Sequence, residues 1–419
     1  YTKAYSLKED YAEPIYNLTA ILKGYEFSTP SKELQILLSK ILLKKSLFRP
    51  SDLVKSALSL IKLDPEIQLA LRNQTSDFSK ETFLTFAGTI QQNVLLMNLL
   101  ATTPIISIEL EDLLIRLRNM FIGFASNDIF FEELFQLQTA LAKQCFINGY
   151  CYGELSIERD KVLDLSSIVD SLIVSGDIPN KCLIMSLLCF KPLTSFSWST
   201  ELGDTHELKE LYRTQVIEPA AEKKIKKSIQ SVGSIFDPVS IRVGEQYENF
   251  CYPRWLGLRQ NPRPHTVAEF VMLANLKTNT SVMSKESEPK ILIAGCGTGR
   301  QAIETKTTFK GSQVTAIDIS LNSLAYAKRK TNLYAVDGIE YFHLDLLNVH
   351  KLKHKFHVIE CVGVLHHLND PIDGFKRLAV VLQSGGLMKI GLYSSFGRQD
   401  IFKTRDEISQ ITRPVTANV

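Results

Sequence analysis

The chain has 419 residues, 45% hydrophobic and 22% charged, with a formal net charge of +3, enough for two or three globular domains with separate cores. So small a net charge supplies no global field favouring nucleic acid or an acidic membrane surface. Its seven cysteines (Cys145, Cys151, Cys182, Cys189, Cys251, Cys296 and Cys361) are scattered without C-x-x-C pairs, which argues against a disulfide framework or a zinc site and predicts free thiols in a reducing, cytoplasmic setting.

The chain begins Tyr-Thr-Lys-Ala-Tyr, with neither an initiator Met nor an export signal, and is expected to start inside a longer one. Leucine-rich amphipathic stretches then dominate the first 235 residues: Lys32–Leu43, Ser51–Ile61, Lys80–Leu100, Ile108–Phe121, Ile129–Asn148 and Ser167–Val174. Apolar residues recur there at three- and four-residue steps, the period of a helix face. An offset of 57 residues lays Leu42, Leu43 and Leu53 over Leu99, Leu100 and Leu110, a hint of a helical-hairpin repeat set against a generic bundle. No apolar run reaches membrane-spanning length: Cys182–Phe190 is too short, and Val94–Ile108 is interrupted by Asn98, Thr102, Thr103 and Pro104, so a soluble protein with no membrane partner is expected.

Glu222 to Lys227 carries four lysines. They could touch phosphate, but on a connecting helix they read as a solvated face, and no nucleic-acid partner is expected. Residues 236–289 read as a linker and lid segment. It contains Tyr247-Glu248-Asn249-Phe250-Cys251-Tyr252-Pro253-Arg254-Trp255, whose aromatics suit either a cover over a cationic ligand or packing of the helical part on the rest of the chain. Packing is the preferred reading; Tyr247, Tyr252, Arg254 and Trp255 remain candidates for substrate contact.

From 290 the pattern changes. Lys290-Ile-Leu-Ile-Ala294 is an apolar strand running into Gly295, Gly297 and Gly299. Alternate glycines there make a backbone floor on which a ligand can lie, because no Cβ intrudes. The spacing is G-x-G-x-G, unlike the G-x-G-x-x-G of dinucleotide turns. A second strand, 313–320, ends at Asp318, about twenty residues on, where an acid can accept both ribose hydroxyls. A third, Glu340–Leu346, carries Asp345, placed to accept from an adenine amino group. A fourth, His357–Leu365, leads into His366-His367, and a fifth, Gly386–Ser394, ends near Tyr393. Helices Arg300–Phe309, Leu321–Lys330 and Pro371–Leu382 alternate with these strands, which predicts an α/β fold with a doubly wound parallel sheet and ligands at the strands' carboxyl ends.

Ile291 to Gly299, Asp318, Asp345 and Val364-Leu-His-His-Leu368 followed by Gly385-Gly386-Leu387 together resemble the class I S-adenosylmethionine-dependent methyltransferases over roughly 290–394. The resemblance implies S-adenosyl-L-methionine as cofactor, with Gly295, Gly297 and Gly299 beneath its methionine and ribose portions, Asp318 on the ribose diol and Asp345 on adenine. Ala294, Cys296, Ile319, Leu346 and Cys361 would complete that site. Such enzymes often carry an acid two residues before the first glycine, where this chain has Ile293, which leaves the methionine amino group to backbone carbonyls or, if its side chain points inward, to Glu360. The resemblance also implies two further strands in a complete sheet. The residues after Ser394 read as a helix, so five strands are expected, the fifth an open edge, in a methyltransferase domain spanning 290–419.

Methyl transfer from a sulfonium is mostly alignment, and a base is needed only if the acceptor must lose a proton. His366 and His367 are the candidate bases, against the reading that they shape their loop; Tyr393 is a candidate for orienting substrate. His343, His350, His354 and His357 do not complete a ligand spacing, so no metal is expected. The fourth-strand loop lacks the Asn/Asp-Pro-Pro-aromatic pattern of enzymes methylating exocyclic or amide nitrogens, and it resembles that of enzymes acting on small molecules. Two other readings stay open: a partner-binding helical protein whose cofactor domain is vestigial, and a nicotinamide dinucleotide site.

Overall fold

The computed structural model describes residues 12–44, 47–73, 75, 78–153, 155–202, 208–249, 251, 253–258, 263–278 and 286–411. It divides into two compact units: Tyr1–Pro219 with Leu256–Arg259, and Ala220–Trp255 with Gln260–Val419. The division thus falls inside the helix Glu218–Lys226, upstream of the boundary the sequence places at 235.

The first unit is helical, built on a core that includes Leu38, Phe83, Leu113, Leu141 and Leu187. Three departures from the sequence reading have local causes. The stretch Lys80–Leu100 is two helices, Lys80–Gln91 and Val94–Leu100, because the Asn93 side chain accepts from Leu96 N–H at 2.9 Å and starts a new helix. Ser156–Ser175 is one helix far longer than the stretch expected within it, since its polar face masks the period. Lys181–Leu188 was not foreseen; it is apolar and buried on nearly every side, so it shows no periodicity. No described helix is long and apolar enough to cross a membrane.

The second unit holds a parallel sheet of β1 (Gln230–Ser231), β2 (Lys290–Ala294), β3 (Gln313–Asp318), β4 (Ile339–His343), β5 (Phe356–Val362) and β6 (Leu382–Gly391), in the order β1-β4-β3-β2-β5-β6. The five-strand expectation is corrected to six among the described residues. β1 is a two-residue strand whose Gln230 and Ser231 align with Phe342 and His343 of β4, too short and polar to leave a pattern. β6 is the opposite edge, as expected, but begins at Leu382, which the sequence assigns to the preceding helix, with a register shift against β5 between Phe356 and Val358.

The helices of this unit are α1 (Pro238–Asn249), α2 (Arg300–Thr308), α3 (Leu321–Leu333), α4 (Pro371–Val381) and α5 (Gln399–Ile411), besides the shorter Val267–Leu273. Each face of the sheet has its own core: Ile291, Ile293, Ala316 and Leu324 on one, Leu292, Ile317, Ile359 and Leu378 on the other. With both faces covered, the central strands β2 and β3 read as nearly continuous apolar runs, and the strand order reverses between β3 and β5 about β2, which places a crevice at their carboxyl ends.

Candidate active site

The crevice is built around the turn after β2. Gly295, Gly297 and Gly299 all have positive φ, 75°, 52° and 79°, yet they are glycines for different reasons. A Cβ on Gly295 would lie 2.3 Å from Val364 Cγ2, and one on Gly299 would lie 2.4 Å from Ala327 Cβ and 2.9 Å from Ala327 Cα; these two let the turn pack on the β5 loop and on α3. A Cβ on Gly297 would meet nothing within 4 Å. Gly297 alone of the three is the open floor.

Asp318, at the end of β3, points at that floor. Its Oδ2 accepts from Gly297 N–H at 2.7 Å and its Oδ1 from Ser320 N–H at 2.9 Å. The carboxyl is half-buried, and burial pushes its pKa above the usual aspartate value despite the backbone donors of Ser320, Gly297 and Ile319 and the nearby His343. Asp345 lies beyond the end of β4, buried, where Oδ1 accepts from Leu347 N–H at 2.9 Å and starts a 3-10 turn. Ile319 is half-buried beneath α1, 3.8 Å from where a Cβ on Gly244 would sit.

The other expected cofactor neighbours offer backbone only. Ala294, Leu346 and Cys361 belong to one apolar core and Cys296 to the other. Burial pushes the Cys361 thiol up to about 12 and the Cys296 thiol well above the usual range, so neither is a nucleophile. Glu360 does not point into the crevice: its Oε2 accepts from Gln301 Nε2 at 2.5 Å and Thr305 Oγ1 at 3.0 Å, and Lys389 Nζ is 3.7 Å from Oε1. The carboxylate is spent on α2 and β6.

The aromatic segment divides. Tyr252 lies outside the described residues, and Arg254 is exposed. Trp255 is buried, with its indole N–H donating to Thr298 O at 3.0 Å and its carbonyl accepting from Tyr326 Oη at 2.9 Å. It stacks on Tyr334 with centroids 5.8 Å apart. Trp255 therefore holds the glycine turn against α3, in keeping with the packing reading of this segment rather than with its candidate place in substrate contact. Tyr247, on α1, is brought to the β5 loop, its hydroxyl 3.5 Å from His367 Nε2.

That loop is a 3-10 turn, Leu365–His367, held from behind by Asp370, which accepts from Ile372 and Asp373 N–H as the cap of α4. The His366 and His367 rings lie 4.3 Å apart, with Tyr393 4.2 Å from His366. Burial first, and then the neighbouring His367 and Arg398, lower the His366 pKa; burial alone lowers that of His367. Both rings are neutral at pH 7, the form in which imidazole can accept a proton.

Three contributors escaped the sequence reading. Gly363, just past β5, has φ 77°, donates to Gly391 O at 2.9 Å and has open space where its Cβ would be. Glu248 ties α1 to the start of α3, accepting from Ser320 Oγ and Asn322 N–H, each at 2.9 Å, while pairing with Lys226. His343 lies beside Asp318 across the β3–β4 ladder. Its Nε2 is 3.1 Å from Ile319 O and its Nδ1 2.9 Å from Ser231 Oγ. A carbonyl only accepts, so Nε2 carries the hydrogen and Nδ1 accepts from Ser231, which fastens the Asp318 loop to β1. Only the Glu248 position had a visible sign, an acid among the aromatics. No three His, Cys, Asp or Glu side chains converge on a metal position among the described residues.

A parallel sheet with a ligand crevice at its reversal point, a glycine floor and an acid facing it defines a class I S-adenosylmethionine-dependent methyltransferase domain, whose cofactor is S-adenosyl-L-methionine. Residues 291–386 match the family model described as a methyltransferase domain. An uncharacterized protein of a Synechococcus strain is 40% identical over 122 residues, 29% of this chain and 29% of its own. A protein of Bacillus subtilis described as "Putative methyltransferase YqeM" is 31% identical over 117 residues, 27% of this chain and 46% of its own. The chain thus spans less than half the length of either curated relative. Among solved structures, magnesium protoporphyrin IX methyltransferase of Synechocystis PCC 6803 with bound S-adenosylmethionine aligns at 19% identity and a TM-score of 0.26, covering 36% of this chain and 74% of that one, a likeness too distant to bear on function.

The residues present fit that cofactor: an open glycine floor, and a carboxylate with lone pairs left after two backbone contacts. One consequence concerns pH. If Asp318 receives the cofactor's ribose diol it does so ionised, and burial raises its pKa. Cofactor affinity is then expected to be full above that raised value and lost as the pH falls through it, at a pH higher than the ~3.9 of an ordinary aspartate. S-adenosylhomocysteine affinity measured from pH 8 downward is expected to decline before free carboxylates titrate.

Proposed function

We propose that the chain is an active S-adenosylmethionine-dependent methyltransferase acting on a small molecule. The observation that carries this is the 2.7 Å contact between Gly297 N–H and Asp318 Oδ2, which sets floor and acid side by side at the carboxyl ends of β2 and β3. In this reading Gly297 underlies the cofactor, Asp318 receives its ribose hydroxyls, Asp345 receives the adenine amino group, and the methionine amino group goes to backbone carbonyls, since Glu360 is engaged elsewhere. Bound there, the cofactor supplies a methyl group already activated by a sulfonium charge. The protein's own work is alignment and exclusion of water, with α1 lying over Ile319 as cover and His366 or His367 available to take a proton.

The division of labour proposed is residues 1–235 as a helical, repeat-like platform able to hold a partner, 236–289 as the covering segment, and 290–419 as the catalytic domain, in the cytoplasm. Incubating the full chain with methyl-labelled S-adenosylmethionine and a fractionated lysate is expected to put label into the small-molecule fraction. Label in protein alone would contradict the acceptor class, and no label in any fraction would contradict the activity.

A further inference from the structure

Four rings stand in a row at the carboxyl ends of β5 and β6. Tyr247 meets His367 edge to face with centroids 6.1 Å apart; His367 to His366 is 4.3 Å, and His366 to Tyr393 is 4.2 Å. The Arg398 guanidinium lies over the Tyr393 ring at 3.8 Å. Around the row Val362, Leu392, Tyr393 and Phe396 are large side chains left in water, Phe396 with 82% of its surface exposed, an apolar setting with few hydrogen-bonding groups.

The polar atoms of the row are unequally provided for. His367 has the Tyr247 hydroxyl near Nε2, but both Nδ1 and Nε2 of His366 are shielded from solvent with no hydrogen-bond partner. Buried polar atoms are almost always paired, and one left over calls for a reason, a catalytic role among them. His366 is neutral at pH 7, so it offers one donor and one acceptor nitrogen. An acceptor nitrogen calls for a ligand hydrogen. The row contains no carboxylate to pair with a protonated alkyl amine, and Arg398 disfavours one. A neutral aromatic amine attacks without losing a proton first, whereas a hydroxyl needs a base as it attacks. An aromatic hydroxyl, with an acidity near that of tyrosine at about 10, yields its proton to imidazole far more readily than an alkanol does, and a flat ring suits the stacked row.

We propose that the methyl acceptor is an aromatic hydroxyl seated against His366, His367 and Tyr393, with His366 as the base that receives its proton. This rests on the methyltransferase reading and names its substrate class. In the balanced step the hydroxyl oxygen gains the methyl group and gives its proton to the imidazole, while the electron pair of the broken carbon–sulfur bond stays on sulfur. One positive charge, on the sulfonium before and the imidazolium after, is conserved and then lost to solvent.

The test is a titration of the chain, loaded with S-adenosylhomocysteine, with naphthol and with naphthalene, which differ only in the hydroxyl. Naphthol is expected to bind about tenfold more tightly, the worth of one hydrogen bond to a buried acceptor. That advantage should vanish in His366→Phe, which keeps a ring in the row, and in His366→Leu, a second variant should the first not fold. Equal binding of the two compounds, binding of neither, or an advantage retained in a folded variant would overturn the proposal. Failure of S-adenosylhomocysteine itself to bind is a separate outcome that removes the methyltransferase reading beneath it.

Discussion

Asp318→Ala is expected to weaken S-adenosylhomocysteine binding by about two orders of magnitude or more while leaving the fold in place. Hydrogen bonds to a charged group are worth about 1.5–3 kcal/mol each, and about 1.4 kcal/mol is a factor of ten in affinity, so losing the two proposed ribose contacts accounts for the drop. The side chain also fixes the floor it faces, through Gly297 and Ser320 N–H, and its loss frees the turn. Asp318→Asn separates the two roles, since the amide oxygen still accepts from one backbone N–H but carries no charge. Its affinity is expected to fall between those of wild type and Asp318→Ala. Equilibrium dialysis measures the affinities, and circular dichroism reports whether the sheet and helices persist; an affinity unchanged in Asp318→Ala would contradict the site.

The glycine turn yields the second large effect, and it separates packing from binding. Gly299→Ala puts a methyl group 2.9 Å from Ala327 Cα, a backbone atom of α3 that cannot swing away, at a φ of 79° that L residues rarely adopt. Overpacking of this kind costs about 1–3 kcal/mol and the backbone strain a further ~1–2 kcal/mol. The variant should unfold at a clearly lower denaturant concentration. Gly297→Ala meets open space and carries only the conformational cost, so it should remain folded yet lose cofactor affinity, because the added methyl group occupies the floor. The opposite assignment, Gly297→Ala unfolded and Gly299→Ala harmless, would mean the turn is not built as described.

Much of this was legible in the residues because a parallel sheet buried on both faces writes itself as apolar runs separated by turns. Ile291–Ala294 and Val314–Ile317 are continuous apolar or small-residue segments, the stretch from Phe356 to Cys361 is apolar or small but for His357 and Glu360, and the helices between them start and stop within a few residues of their expected limits. The glycine turn and the acid facing it were legible for a different reason: both belong to one strand–turn–helix–strand unit, and Asp318 meets Gly297 N–H at a fixed distance along the chain.

What stayed hidden depends on contacts far apart in sequence. β1 has two polar residues and is held by its pairing with β4 and by Ser231 Oγ against His343. Trp255 left two readings open, packing or ligand cover, because the partner of its indole N–H, Thr298 O, lies 43 residues on. Glu360 looked available until Gln301 and Thr305 of α2 were placed against it. In each case the residue type announced a polar or aromatic role, and the partner decided which one.

The central claim is that the crevice at the end of β2 holds S-adenosylmethionine, and calorimetry of the purified chain with S-adenosylhomocysteine and, separately, with NAD tests it most directly. Saturable one-to-one binding of S-adenosylhomocysteine and no binding of NAD is the expected result. NAD binding in its place, or heat from neither compound, would contradict it.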